Sequence, residues 1–377
     1  MRRTNLVWLA ESRTNYNDFL FQSIHSRKRI DLCVYYRVGA ADHHLFDQAV
    51  VPVYSMKYLH KFFDVGLLKA VFFDRSVFFV FAGFQGVNKK ILIFLCLMLR
   101  RRFACWNDTL PANYFRGVGG AIKSVLFNQV YARSVKVLAT GHPAMEIHRK
   151  RGCPPEKILN FPFFWDLEIN SRLEPESTKF FSEFVERGDL VLLLSGRLTE
   201  EKNYRTAVEM ARKVVEAIGS RRVKFLLAGD GPEKSHLSQL IAAYDLQEVF
   251  HLVGWLNGKL EDDFFKMGDV FLHFALFDPF PTVVLRAMVY GLPVIGFEGA
   301  GSVKDRIVNG VNGFVIKEGD EAGYFQKLMF FIKNKRAIRA FGREARMTAE
   351  RWPVNKGIRS LERFVLSKGE IQEDTLK

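Results

Sequence analysis

Cysteine is scarce in this chain. The four thiols in 377 residues, Cys33, Cys96, Cys105 and Cys153, form no CxxC pair and no metal-ligand spacing. That argues against a disulfide frame and fits reduced thiols in a cytosolic protein. Long hydrophobic runs are missing too: the longest near the middle, ILIFLCLML at 91–99, has nine residues, too few to span a bilayer. Arg2 and Arg3 precede only Leu6 to Ala10 before the polar run from Glu11, so no secretory signal is expected. The sequence also lacks tandem repeats, low-complexity tracts, an Asp-x-Asp metal signature and any recognisable nucleic-acid motif.

What is present is a long, basic, phenylalanine-rich chain. At 377 residues it exceeds what one core usually organises, so two domains are expected. The 48% hydrophobic and 25% charged residues are ordinary for a globular protein and argue against global disorder. The net charge of +14 implies an acidic partner, and the phosphates of small ligands or an anionic membrane suffice without nucleic acid. The 36 phenylalanines suit either filled cores or an adhesive surface.

Strand-like and helix-like runs alternate along the first half. NLVWLA (5–10), IDLCVYY (30–36), AVVPVY (49–54), SVFFVFAG (76–83), FACW (103–106) and VKVLAT (135–140) read as strands, with helices over Asn17 to Ser26 and Lys89 to Arg101. Such alternation predicts parallel sheets built by right-handed crossovers. The run at 91–99, flanked by Lys89, Lys90 and Arg100 to Arg102, reads as a buried crossover helix, with a surface-bound role left open. The pattern loosens between Asn160 and Gly188, where Pro162 and Pro175 mark a linker. It then resumes with strands at 189–196, 223–229, 249–254 and 269–274 and helices over Tyr204 to Ala217 and Glu233 to Tyr244. The expected fold class is α/β: two doubly wound domains with a cleft between them, and ligands beyond the carboxyl ends of the strands.

Three strand-to-helix loops of the second half could carry chemistry. In SGRLTEEKNYRTA (195–207), Arg197 and Lys202 follow a strand end and Asn203 stands where it can cap the next helix. Two cations beside a helix start suit a diphosphate, and they equally suit surface charge beside an ordinary cap. In AGDGPEKSHL (228–237), Gly229 and Gly231 make a tight turn before Pro232. In FALFDPFPTVVLRAMVYGLPVIG (274–296), Asp278 opens the loop, Thr282 begins a helix, and Gly291 with Pro293 ends it. Asp278 could also serve as a plain cap.

Taken in order, GRLTEEKN, AGDGP, HLVGW, FDPFPTVVLRAMVYGLPVIG and NGVNGF resemble the retaining nucleotide-sugar glycosyltransferases of the GT-B fold, family 4 type. The resemblance covers most of residues 189 to 350, and the first half shares only the architecture. It implies domains at 1–170 for the acceptor and 171–352 for the donor, with a final helix from 353 crossing back to the first domain. It implies that Arg197 and Lys202 grip the donor diphosphate, and that Gly254 and Trp255 lie beside the base. Phe280 and Thr282 are implied beside the donor. Asp278 matches the first carboxylate of a Glu-x7-Glu pair, which holds donor-sugar hydroxyls. Arg286 matches the second, which holds the ribose diol, yet a guanidinium cannot accept a hydrogen bond. Pro281 replaces a glycine, the glycine-rich loop after the first strand is absent, and Asp108 stands where some members carry a histidine facing the donor sugar.

The implied activity is retaining sugar transfer from a UDP-, GDP- or dTDP-sugar to a glycan or lipid-linked acceptor in surface polysaccharide or lipopolysaccharide synthesis, with no metal required. A GT-B hydrolase or epimerase of nucleotide sugars, or a sugar-nucleotide-binding protein without turnover, would share the cleft. Asn15, Asp18 and Asp108 are acceptor-side candidates. Arg286 leaves three expectations open: a deoxyribonucleotide donor, a guanidinium on the diphosphate, or an arginine turned away while another residue holds the ribose. Finally, SMKYLHKFFDVGLLKAVFF (55–73) interleaves Lys57, His60, Lys61 and Lys69 with aromatic and aliphatic residues. It reads as a basic amphipathic helix for an anionic membrane or as a helix half-buried on its own sheet, in a cytoplasmic protein held peripherally at the inner face.

Overall fold

The structure is a computed structural model that describes residues 4–37, 52–59, 64–108, 117–167, 179–256 and 258–367. It divides into two compact units, Met1–Phe164 with Trp352–Lys377, and Trp165–Arg351. The expected boundary at 170/171 lies outside the described residues.

The first unit carries β1 (Thr4–Ala10), β2 (Ile30–Tyr36), β3 (Ser55–Tyr58), β4 (Phe78–Ala82), β5 (Phe103–Asn107), β6 (Lys136–Ala139) and β7 (Ile158–Asn160), all parallel, in the order β3-β2-β1-β4-β5-β6-β7. Among the described residues, the helices that connect them are α1 (Asn15–Ser26), α2 (Val65–Phe73), α3 (Val87–Met98), α4 (Gly117–Arg133) and α5 (Gly141–Lys150). Along β1, Val7 and Leu9 pack with α2 to α5 on one face of the sheet. Leu6 and Trp8 pack on the other, with α1 and the final helix, labelled α13 below. Both faces are covered, which is why the central strands β1 and β4 read as largely apolar runs.

Three expectations for this unit need correction. Of AVVPVY, 49–51 lie outside the described residues and Pro52 to Tyr54 form no strand; the described strand is β3, paired with Cys33 to Tyr36. Proline has no N–H to offer a ladder, so pairing starts beyond it. The segment 55–73 is therefore not one amphipathic helix. Ser55–Tyr58 is strand, His60 to Phe63 lie outside the described residues, and α2 starts afresh where the Asp64 carboxylate accepts from the Leu67 N–H at 2.8 Å. Lys57 sits on the strand, 3.8 Å from Asp64. Lastly, Asn160, read as the start of the linker, still belongs to a strand: Ile158–Asn160 is β7, beside β6.

The second unit carries β8 (Leu190–Ser195), β9 (Val223–Ala228), β10 (Phe250–Gly254), β11 (Val270–His273), β12 (Val294–Phe297) and β13 (Gly313–Ile316), again parallel, in the order β10-β9-β8-β11-β12-β13. Its helices are α6 (Tyr204–Ile218), α7 (Lys234–Ala243), α8 (Gly258–Met267), α9 (Thr282–Val289), α10 (Gly301–Arg306), α11 (Glu321–Lys333) and α12 (Lys335–Glu350). They too cover both faces: α6, α7 and α11 on one side, α8, α9, α10 and α12 on the other. The last helix, α13 (Val354–Leu366), belongs to the first unit. Its buried Glu362 accepts from Arg27 and Arg29 at 3.4 and 3.0 Å, and a Cβ at Gly357 would meet the Phe164 ring at 2.2 Å.

Most phenylalanines of the described sheets are interior, and Cys96, Cys105 and Cys153 are buried free thiols. His148, fully buried on α5, shares a 2.9 Å hydrogen bond with the Tyr131 hydroxyl. Burial pushes its imidazole down to about 4. The folded chain therefore refuses a proton that the unfolded chain accepts below its ordinary value of about 6.5, so stability is full above that pH and is lost as pH falls toward 4. At pH 5 the loss amounts to about 2 kcal/mol. Urea titrations at pH 7 and pH 5 should show it, and His148→Asn should remove that part of the difference. An unchanged difference in the variant would refute the assignment.

Candidate functional site

In the second sheet the chain runs outward from β8 through β9 to β10, then returns to β11 on the other side of β8. The loops after β8 and β11 thus diverge at a topological switch point, where open α/β sheets bind ligands. After β8 the chain passes Gly196 and an exposed Arg197, then closes a 3-10 turn over Glu200–Lys202. The neighbouring loop presses against it: a Cβ on Gly229 would lie 1.9 Å from the Gly196 carbonyl oxygen, so only glycine permits this approach. The side-chain cap on α6 that the sequence led one to expect of Asn203 does not form. The residue adopts a left-handed conformation (φ 55°), and its amide donates to the Phe274 carbonyl at 3.3 Å, tying the β8 loop to the β11 loop.

After β11, the backbone of Asp278 forms a parallel bridge to Ala300. Its N–H donates to the Gly299 carbonyl at 3.3 Å, and its carbonyl accepts from Gly301 at 2.9 Å. A Cβ on Gly301 would meet the Pro279 carbonyl oxygen at 1.9 Å, so this bridge also needs a glycine. Asp278 does not cap α9, whose preceding position is Pro281. Its carboxylate instead accepts from the Lys202 ammonium at 2.5 Å. His273 Nε2 lies 3.6 Å from the same oxygen. Burial pushes this imidazole down to about 4; Asp278 opposes that shift and Lys202 adds to it. His273 is therefore neutral at pH 7. Its Nδ1 accepts from the Ala275 N–H at 3.4 Å, which leaves the proton on Nε2, facing Asp278.

Arg286 takes a different course from any free guanidinium. It is 4% exposed. One terminal nitrogen pairs with Glu261 and the other donates to Asp262 at 2.6 Å, both acids lying in the first turns of α8. The guanidinium lies 4.9 Å from the ring centroids of Trp165 and of Phe265, and Tyr290 donates to Asp262 at 2.7 Å. The expectation of a guanidinium reaching for a diphosphate is thereby corrected: a buried cation needs compensating charge, and two carboxylates provide it. Gly254 ends β10 with φ 81°, and Trp255 beyond it is 44% exposed in the loop leading to α8. Thr282 opens α9, half-buried. The Phe280 ring is interior rather than on an open surface, 3.5 Å from where a Gly301 Cβ would stand. Asp108 lies in the first unit, just past β5, near enough to Tyr16 to contribute, after burial, to raising that phenol to about 12.

The fold thus brings Lys202 and Asp278 together and sets Arg286 among acids. The sequence reading missed His273, Glu261 and Asp262. The signal was the run of three acids in KLEDDFF, Glu261 to Asp263, and acids at a helix start are ordinarily explained by the dipole. It also missed the switch point of the first sheet, between β1 and β4. There the buried Lys89 pairs with Glu11 and donates to the Ala82 carbonyl at 2.6 Å, and Arg37 pairs with Glu11 at 2.5 Å.

Comparison with known proteins agrees with this architecture. Residues 176–348 match the family described as glycosyl transferases group 1. A 2-deoxystreptamine N-acetyl-D-glucosaminyltransferase of Niallia circulans is 26% identical over 147 residues, 39% of this chain and 37% of its own length. A putative colanic acid biosynthesis glycosyltransferase, WcaL of Salmonella typhimurium, is 25% identical over 236 residues, 59% of this chain and 55% of its own. The chain thus spans from about a third to just over half of these curated relatives. Among solved structures, HepE of Anabaena in complex with UDP superposes with a TM-score of 0.76 at 15% identity, over 96% of this chain and 99% of that one. Within the second unit, then, residues 176–348 resemble the glycosyl transferases group 1 family, and the fold of the chain, two Rossmann-like parallel-sheet units, is the GT-B fold.

Proposed function

We propose that this protein is a retaining glycosyltransferase that moves a sugar from a nucleotide-diphosphate donor to a glycan or lipid-linked acceptor in surface polysaccharide assembly. The observation that carries the reading is the Lys202–Asp278 pair at the carboxyl ends of adjacent strands β8 and β11. Lys202 with Arg197 supplies positive charge for the diphosphate, so no divalent metal is required to stabilise the leaving group. Asp278, released from Lys202 as phosphate oxygens take over the ammonium, accepts from donor-sugar hydroxyls. Neutral His273 keeps it oriented. Trp255 is placed to cover the base, with Gly254 opening the backbone beside it and Thr282 at the start of α9 near the donor. Arg286 acts on the donor side through Glu261, whose carboxylate can accept from ribose hydroxyls where a guanidinium cannot. Asp108 remains an acceptor-side candidate. Support for a polysaccharide role comes from relatives named for colanic acid and amylovoran biosynthesis. Support for a uridine donor comes from folds solved with UDP or UDP-glucose.

A thermal panel of uridine, guanosine and thymidine diphosphates and their sugars tests this reading. A ligand at a hundred times its Kd stabilises by about 2.7 kcal/mol, which raises the melting midpoint by roughly 5 °C or more. At least one donor should do so and should also be slowly hydrolysed without acceptor. No shift with any member would defeat the reading, and a shift without turnover would reduce the protein to a binder.

A further inference from the structure

We infer that the outer face of α2 and α3 docks this protein on an anionic lipid bilayer. The inner sides of both helices pack on the first sheet through Leu67, Val71, Leu92, Ile93 and Cys96, as crossover helices should. Their outer sides should then be polar, and they are not. Val65, Phe72 and Phe73 on α2 and Val87, Phe94 and Met98 on α3 are exposed, Phe73 to 83% and Met98 to 66%. On α3 the spacing 87, 91, 94, 98 runs as one stripe, opposite the buried positions 89, 92, 93 and 96. The run at 91–99 is thus apolar on both sides, half core and half surface. Aromatic and aliphatic side chains of this size, gathered on touching helices, mark an interaction face.

Charge selects the occupant. Lys69, Arg75, Lys90 and Arg100 are exposed on these helices and at their ends. The only acids between residues 64 and 102 are Asp64 and Asp74, each half-buried and accepting from local backbone N–H groups. A second copy of this chain would bring the same cations against themselves, and that repulsion disfavours self-association. Lipid headgroups of negative charge satisfy the cations while the aromatic and aliphatic side chains enter the acyl boundary. No helix among the described residues is long and apolar enough to cross a membrane, so docking of this kind is along the surface. The assignment stands independently of the catalytic reading, though a lipid-linked acceptor would give it a purpose.

Flotation of the full chain with phosphatidylcholine vesicles, with and without phosphatidylglycerol, tests it. The protein should float only with the anionic vesicles at low salt, and release as salt rises. Phe73→Ser with Phe94→Ser and Met98→Ser should weaken partitioning by about tenfold or more. Lys69→Glu with Lys90→Glu should do the same. All five positions are exposed apart from packing, so melting midpoints and nucleotide-induced shifts should be retained, which separates docking from donor binding. No flotation at low salt, or flotation unchanged in both variants, would overturn the inference. So would a face that mediates dimers or binds nucleic acid, revealed if the serine variant abolishes either while vesicle binding persists.

Discussion

Alanine at both Arg197 and Lys202 is expected to lower sugar transfer by about 10³-fold or more while the protein stays folded. In the proposed reaction the anomeric carbon turns cationic as the diphosphate leaves, and charge builds on the phosphate oxygens. A preorganised donor aimed at such charge is typically worth about 10²–10³ in rate. The folded state gives up much less. Lys202 is partly exposed and Arg197 lies at the surface, so loss of the Lys202–Asp278 pair costs about 1 kcal/mol or less. One side effect has a definite sign. Without the Lys202 charge, the His273 imidazole becomes easier to protonate, because Asp278 still faces it. Steady-state kinetics and nucleotide-diphosphate titration on the double variant check the assignment, with the melting midpoint as control. Activity within a few fold of the parent would sink it. Asp278→Asn divides the roles further: it should leave diphosphate affinity nearly intact and depress turnover.

Arg286→Ala is expected to destabilise the second unit by about 3 kcal/mol, seen as a midpoint lower by roughly 5–10 °C. The guanidinium is nearly fully buried, holds Glu261 and Asp262, and fills the space beside the Trp165 and Phe265 rings. Truncation leaves two neighbouring carboxylates without their cation and a gap between aromatic faces. Arg286→Glu should be worse, since it sets a third carboxylate against the other two, whereas combining it with Glu261→Arg should recover part of the loss. An unchanged midpoint in Arg286→Ala would show that the cluster contributes nothing to folding. The functional share is read separately. Glu261→Gln should weaken a ribonucleoside diphosphate about tenfold, the worth of one hydrogen bond to a charged group, and barely affect its 2′-deoxy analogue. Equal losses on both would remove Glu261 from the ribose.

Much of the fold was legible because strand and helix periods are local properties. LVLLLS, VKFLLA and FFVFA are apolar except for Ser195 and Lys224 since both faces of their sheets are covered, and that composition survives in the linear text. Loop positions were legible for the same reason: Asp278 after a strand and Gly291 after a helix are places set by neighbours in the chain. Where the reading slipped, a competing local signal had won. Hydrophobic residues at 49–54 outvoted Pro52, and cations at 57 and 69 suggested one helix where Ser55–Tyr58 is a strand and Asp64 starts the helix.

The sequence by itself determined that this is an α/β chain with parallel sheets and cation-bearing and acid-bearing loops at strand ends. Only the tertiary structure decided which of those loops meet. Lys202 and Asp278 stand 76 positions apart and touch because β8 lies beside β11 in the sheet order, a pairing that no local pattern encodes. Arg286 and its two acids come from separate helices, and their meeting depends on how α8 and α9 pack on one face of the sheet. The exposed stripe of α3 is the same case in reverse. Its nine apolar residues were plain to see, but which of them face water depends on the sheet beneath, because burial belongs to the assembled layers and not to the segment.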